Sequence, residues 1–236
     1  MFWSKILRFF SEDIAMDLGT ANTLLYTRDG GIIVNEPSVV AIDTRNNEVL
    51  AVGSEAKRAR GRTPKRIKTI RPMKSGVIAD FDTTSRMIVY FVNKAIGRSH
   101  LVKPSLVISV PTGITGVEKK AVIDAAATAG AGRVSLIEEP MAAAIGADLP
   151  VTEPVGTLIA DIGGGTSEVA VITMSAITVS QSIRIAGDAM NEILLRMLRD
   201  KYRLDVGENT AEHLKILLGS TQPVPDLPDY AEISGR

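Results

Sequence analysis

The chain has 236 residues, 45% of them hydrophobic, and its 27 basic and 27 acidic side chains cancel to a formal net charge of zero. That is enough for one large or two small domains, while the balanced charge gives no general attraction to nucleic acid and no apolar run is long enough to span a bilayer. The absence of cysteine excludes disulfides and thiolate metal sites, and the two histidines, His100 and His213, lack the spacing of a zinc site.

The first ten residues stand apart. On a helical wheel Phe2, Trp3, Ile6, Leu7, Phe9 and Phe10 fall on one side, and Ser4, Lys5, Arg8 and Ser11 on the other. Aromatic and aliphatic residues opposite cations are what an interfacial membrane helix requires. The alternative is a segment packing on the chain's own core. A signal peptide would need a longer apolar stretch and a small-residue cleavage site.

The apolar run Ile14-Ala15-Met16 then leads into Asp17-Leu18-Gly19-Thr20-Ala21-Asn22-Thr23-Leu24, read as strand, tight turn, strand. Short strands are expected at 32–34, 39–42 and 49–52. A basic stretch from Lys57 to Lys74 follows, holding Lys57, Arg58, Arg60, Arg62, Lys65, Arg66, Lys68, Arg71 and Lys74. It reads as a solvated surface lobe, or alternatively as a contact surface for a partner subunit or anionic lipid. No aromatics interleave the charges, which argues against single-stranded nucleic acid. Asp82 is the expected N-cap of a helix over 83–97. A strand at 106–110 closes at Pro111. A helix over 117–129 ends at Gly130, and a strand at 134–137 runs into Glu138-Glu139-Pro140 and a small-residue helix over 141–147. Alternating strands and helices predict an α/β layer with parallel pairing. Residues 149–156, with two prolines, read as an interdomain linker.

After that linker the opening pattern returns. Leu158-Ile159-Ala160 leads into Asp161-Ile162-Gly163-Gly164-Gly165-Thr166-Ser167-Glu168, about 144 residues after its counterpart, a domain-sized separation. Strands are expected over 157–162, 167–173 and 177–185, and helices over 188–201 and 210–218, before a proline-rich end. Each hairpin carries a carboxylate at the end of its first strand. Turns of this kind aim backbone N–H groups at one point and form an anion nest. Glycine there leaves room for a phosphate and tolerates positive φ. A carboxylate beside a phosphate calls for a bridging divalent cation, and Mg²⁺, with its oxygen ligands and retained waters, suits that place. Two such turns facing each other would clamp a nucleoside triphosphate. Glu139, at a strand end, is placed to orient a water for attack on a γ-phosphate, or it is simply an acid facing a helix dipole. The alanines of 142–144 and Gly146 would let two helices approach closely, as a hinge requires. Gly187 and Asp188 open a helix whose N–H groups could face a nucleotide or form an ordinary cap. Glu212 and Lys215 share one helix face, as a surface ion pair or as a grip on a ribose and base.

Residues Asp17 to Leu24, Glu138 to Ala147 and Asp161 to Glu168 resemble the phosphate-1, connect-1 and phosphate-2 motifs of the actin, sugar-kinase and heat-shock-chaperone superfamily. Within it, the segments 35–41, Gly61-Arg62-Thr63-Pro64, 70–73, 76–81 and 139–147 resemble the MreB family of bacterial actin homologues, and the likeness runs from Ile14 to Gly219. The amphipathic start also resembles that family's membrane-binding N-terminus.

The resemblance implies a duplicated, ribonuclease-H-like α/β fold with two lobes around a nucleotide cleft. The membrane segment would occupy 1–11, the first lobe 12–150 with a small basic subdomain at about 32–75, and the second lobe 151–236. By the same resemblance Asp17 and Asp161 manage the Mg²⁺ shell through water. Gly19, Thr20, Ala21, Asn22, Gly163, Gly164, Gly165 and Thr166 cradle the phosphates of ATP. Glu139 with Thr166 positions the hydrolytic water, and Gly187, Asp188, Glu212 and Lys215 contact the nucleotide. The implied function is a slow ATPase forming self-assembled filaments on the inner face of the cytoplasmic membrane, where they direct cell-wall elongation proteins and maintain rod shape. The alternative is a sugar- or acetate-kinase-like phosphotransferase, for which no acceptor-site aspartate is evident; a peptide-binding chaperone would need a further β-sandwich.

The sequence departs from the family at two places. Ala186-Gly187-Asp188 stands where Gly-Gly-Asp is usual, which is expected to crowd the nucleotide. The sequence also stops roughly a hundred residues before a typical member does, ahead of the adenosine loop, so that this stretch made alone is expected to bind ATP weakly and to aggregate through exposed strand edges.

Overall fold

A computed structural model describes residues 13–59, 66–96, 103–225, 227–228 and 230–235. The amphipathic segment with Phe2, Trp3, Ile6, Leu7, Phe9 and Phe10, and the Gly61-Arg62-Thr63-Pro64 motif, lie outside the described residues. The chain divides into two compact units, one reaching to Arg184 and one beginning at Ile185.

The first unit is built on a five-stranded sheet. Strands β1 (Asp13–Leu18), β2 (Asn22–Thr27) and β3 (Gly31–Pro37) form an antiparallel meander. On the other side of β1, strands β9 (Ser105–Val110) and β10 (Arg133–Glu138) add in parallel, giving the order β10-β9-β1-β2-β3. The strand period of two decides which residues face the core. In β1 it buries Ile14, Met16 and Leu18 and turns Ala15 and Asp17 to the opposite face. The core packs that inner face with Leu25, Leu106 and Ile108 against Met87, Ile88 and Phe91 of helix α2 (Phe81–Ile96) and Val122, Ala125 and Ala126 of helix α3 (Gly116–Thr128). Helix α3 starts in a full capping box between Thr115 and Glu118. It ends in a Schellman pair, Ala131 N–H to Ala126 O and Gly130 N–H to Ala127 O, with Gly130 at φ +96. Helix α2 does not use its expected cap: Asp80, two residues before Asp82, accepts from the Thr83 N–H at 3.0 Å, because the helix begins two residues earlier than expected, at Phe81.

Strands β4 (Val40–Asp43), β5 (Glu48–Val52) and β6 (Ile67–Ile70) form a small antiparallel sheet in the order β5-β4-β6, with Val39 and Ala41 packed on Ala56 of helix α1 (Ser54–Ala59). Part of the basic stretch is structural here. Buried Asp43 takes the Arg66 guanidinium at 2.9 Å and that of Arg45 at 3.1 Å, and these bonds hold its carboxyl far below the usual range. Strands β7 (Met73–Lys74) and β8 (Val77–Ile78) are joined by Ser75 and Gly76, both at positive φ, as a type I′ turn requires.

A separate antiparallel sheet holds β11 (Thr157–Ile162), β12 (Ser167–Thr173) and β13 (Ala176–Ile183). It repeats the β1-β2-β3 meander, as the duplicated pattern predicts. Residues 149–156, expected to be a linker, are tied to the β12–β13 turn: Met174 N–H reaches Glu153 O and Ser175 N–H reaches Val151 O. Helix α4 (Glu139–Gly146) packs on strands of both sheets.

The second unit pairs helix α5 (Gly187–Tyr202) with helix α6 (Glu208–Leu218), with Leu198 of the one and Ala211 and Leu214 of the other buried. No helix among the described residues is long and apolar enough to cross a membrane.

Candidate functional site

The outward face of β1, the end of β9 and the start of α4 open onto a cleft of about 840 Å³ within the first unit. That is the size range of small-molecule and cofactor sites, roughly 300–1,000 Å³. Its walls include Asp17, Gly19, Thr20, Ala21 and Asn22 from the β1–β2 hairpin and Asp161 with Gly163, Gly164, Gly165 and Thr166 from the β11–β12 hairpin. Glu139, Ala142, Ala143 and Gly146 enter from α4. The two hairpins and Glu139, far apart in sequence, thus meet as the sequence predicts.

Strand parity explains the arrangement. Asp17 lies on the face of β1 opposite the core, and its Oδ1 accepts from the Ser109 hydroxyl at 2.9 Å. Although open to the cleft, its carboxylate is surrounded by protein. That desolvation raises its pKa, the Ser109 bond pulls it down, and Asp161 pushes it up again. Glu139 is the first residue of α4, just ahead of buried Pro140. Burial, then the charges of Asp17, Glu168 and Asp161, push it up to about 8. The cleft floor is therefore acidic, which by itself repels a phosphate chain. Among the described residues no three acids or histidines converge closely enough to ligate a metal directly.

Of the two reasons expected for the hairpin glycines, positive φ is not the one the structure uses. Gly19, Gly163, Gly164 and Gly165 do not have positive φ; among the described residues the glycines that do are Gly31, Gly53, Gly76, Gly113 and Gly130. What excludes side chains is close approach. A Cβ on Gly164 would lie 2.5 Å from the Cβ of Ala21, and one on Gly165 would lie 2.6 Å from the Thr20 hydroxyl. A Cβ on Gly19 would meet the Asn22 carbonyl at 2.6 Å. The tips of the two hairpins touch, and glycine is the residue that lets them.

The Ser75-Gly76 turn braces this junction. Gly76 donates its N–H to the Thr20 hydroxyl at 2.8 Å, and a Cβ there would press on Pro111 at 2.7 Å and Thr166 at 2.9 Å. The Thr20 hydroxyl, expected beside a phosphate, thus has a structural partner. The alanines of α4 differ from expectation too. Ala142, Ala143 and Gly146 form cleft wall, whereas Ala144 is buried, and α4 packs on strands rather than on another helix.

Gly187, Asp188, Glu212 and Lys215 belong to the second unit. There the Lys215 ammonium donates to the Gly187 carbonyl at 3.0 Å and ties α6 to the start of α5. Ala186, expected to crowd a nucleotide, is buried at φ −160, extended backbone that any residue adopts.

Three residues have contacts that a reading of the sequence does not assign: Ser109, which lines the cleft, and Thr112 and Glu168, which do not. Glu168 pairs with Asp161 across the β11–β12 ladder and is 1% exposed. It accepts from the Thr112 N–H at 3.0 Å and from the Thr112 hydroxyl at 3.1 Å. No local pattern marks Ser109 or Thr112, and Glu168 reads only as the last residue of its hairpin segment. The Ser75-Gly76 turn, by contrast, was legible as a Ser-Gly dipeptide between two short apolar runs.

Comparison with known proteins shows the family. Residues 11–236 match the family model described as MreB/Mbl protein. The chain is 48% identical to the cell shape-determining protein Mbl of Bacillus cereus, covering 96% of this chain and 68% of that protein. It is 47% identical to the cell shape-determining protein MreB of Escherichia coli, covering 98% of this chain and 68% of that one. Among solved structures, MreB5 of Spiroplasma citri bound to ADP superposes with a TM-score of 0.85 at 33% identity, over 92% of this chain and 65% of that one. MreB5 was also solved with AMPPNP, at the same similarity. A MamK double helical filament, at 21% identity and a TM-score of 0.73, shares the actin-like fold. The chain spans about two thirds of the length of these relatives.

Proposed function

The chain is a member of the MreB/Mbl family, and from that premise we propose that it is an ATP-binding, actin-like cytoskeletal protein whose membrane-associated filaments direct cell-wall synthesis and maintain rod shape. The observation that carries this reading is the convergence of both Asp-Gly hairpins and Glu139 on one cleft. The names of the relatives, cell shape-determining proteins, and MreB5 with its bound ADP and AMPPNP support it. On this reading residues 12–150 form the first lobe and 151–236 belong to the second.

The residues fit a Mg²⁺-nucleotide. Both hairpin turns line the cleft, and its acidic floor demands a cation before it tolerates phosphate. Asp17 and Asp161 would hold the hydrated ion, which when bound neutralises charge on the phosphates. Gly19, Ala21, Asn22 and Gly163 to Thr166 would face the phosphate chain with their backbone. Glu139, assisted by Thr166, would orient the attacking water and accept its proton. Gly187, Asp188, Glu212 and Lys215 are assigned to the nucleoside end. The amphipathic start would bring filaments to the inner face of the cytoplasmic membrane, where cell-wall elongation proteins are the partners.

Pelleting of the whole protein with and without ATP and Mg²⁺ tests the reading. Nucleotide-dependent sedimentation with regular filaments in electron micrographs is the expected result. Phosphoryl transfer to a sugar or acetate without sedimentation would favour the kinase-like alternative and overturn it.

A further inference from the structure

The two hairpins belong to two different sheets, and no strand ladder joins those sheets. Their separation is set by contacts other than strand pairing, the touching tips and the groups that reach from one sheet to the other. Strand β9 and the residues just after it contact both. Ser109, within β9, holds Asp17 of the first hairpin. Thr112, two residues beyond its end, holds Glu168 of the second through both its N–H and its hydroxyl. Between these two grips lies Pro111, whose ring fixes φ, and after them Gly113 turns the chain away at φ +74. The strut is thus short and stiff. Glu168 is fully buried, and an acid buried without a partner would be costly. Its bonds to Thr112 are the polar contacts the structure gives it, and the carboxylate is directly opposite Asp161 in the ladder.

We propose that Thr112 and Glu168 form a positioning latch for the phosphate site, setting the distance between the two glycine hairpins. The proposal rests on the nucleotide reading above and extends it to two residues to which that reading assigns no role, Thr112 and Glu168. Neither residue touches the phosphates; both act through the position of the β11–β12 tip against Ala21 and Thr20.

The test is a double-mutant cycle on the whole protein, read as equilibrium affinity for Mg-ATP alongside the melting temperature without nucleotide. Thr112→Val removes the hydroxyl at constant volume, Glu168→Gln keeps shape and one acceptor, and Thr112→Ser restores the hydroxyl. We expect Thr112→Val and Glu168→Gln each to weaken Mg-ATP binding about tenfold, on the scale of a lost hydrogen bond to a charged group, the double variant to be no weaker than the worse single, and Thr112→Ser to bind like the parent. Normal affinity in both single variants, with only the melting temperature lowered, would reduce the pair to a stability contact and overturn the proposal. Additive losses in the double variant would overturn it equally. Asp17→Ala is measured in parallel. If it weakens binding while the latch variants do not, the latch alone fails. If it too binds normally, the nucleotide reading fails and the latch with it.

Discussion

Glu139 carries the most consequence for a single residue. With its pKa near 8 it holds a proton at neutral pH, because burial and the charges of Asp17, Glu168 and Asp161 all oppose ionisation. A neutral carboxylic acid cannot accept a proton from water. The nearby carboxylates must first be offset, and a cation held between Asp17 and Asp161 would do that. The same displacement makes stability depend on pH. Between the ordinary glutamate value of 4.5 and about 8 the folded protein holds a proton that the unfolded chain has released. Stability of the nucleotide-free protein should therefore fall as pH rises through that window and level off above it, by roughly 3–5 kcal/mol at full extent. Glu139→Gln should flatten this part of the profile in denaturant titrations; an unchanged slope would place the titration elsewhere. In turnover, Glu139→Ala should leave Mg-ATP binding largely intact and slow hydrolysis by about 10²-fold or more, the usual scale for loss of a general base. Turnover at the parental rate would leave Glu139 as a helix-start acid. Asp17→Ala and Asp161→Ala should each weaken Mg-ATP binding strongly, and calorimetry showing parental affinity in either would remove that residue from the metal shell.

Among the elements, the hairpin tips and the Ser75-Gly76 turn form one tightly packed junction. Gly164→Ala puts its new methyl 2.5 Å from that of Ala21, and overpacking of this kind costs about 1–3 kcal/mol. Both stability and nucleotide binding should drop. Ala21→Gly in the same chain removes the opposing methyl and should recover most of both. If the second change does not help, the apposition of the tips is not what demands glycine. Helix α3 provides a control remote from the cleft. Thr115→Ala breaks its capping box and should cost about 1 kcal/mol with nucleotide affinity unchanged.

At the scale of the whole molecule, attachment and assembly should be coupled. On the proposed reading a single amphipathic segment would bind a bilayer only modestly, so firm attachment would need many copies arrayed on a filament, where effective concentration multiplies weak contacts. Replacing Phe2 and Trp3 by serine should abolish co-sedimentation with anionic liposomes while leaving ATP-dependent polymer intact. Retained liposome binding would assign the N-terminal segment to the protein's own core instead.

The sequence by itself determined what repeats locally: strand parity, the two Asp-Gly hairpins, the carboxylate at the start of α4, and the glycine that closes α3. Each is set by neighbours within one turn or one strand, so spacing alone reveals it. The tertiary structure decided what those pieces touch. That Gly164 and Gly165 are glycine because Ala21 and Thr20 lie against them, and not for their φ, follows from a contact across two sheets. That Ser109 grips Asp17, and Thr112 grips Glu168, depends on pairs 92 and 56 residues apart. A hydroxyl two residues past a strand has no periodicity to betray it. Only the packing of the two sheets brings a buried acid within its reach, where the cost of leaving that acid unpaired makes the contact matter.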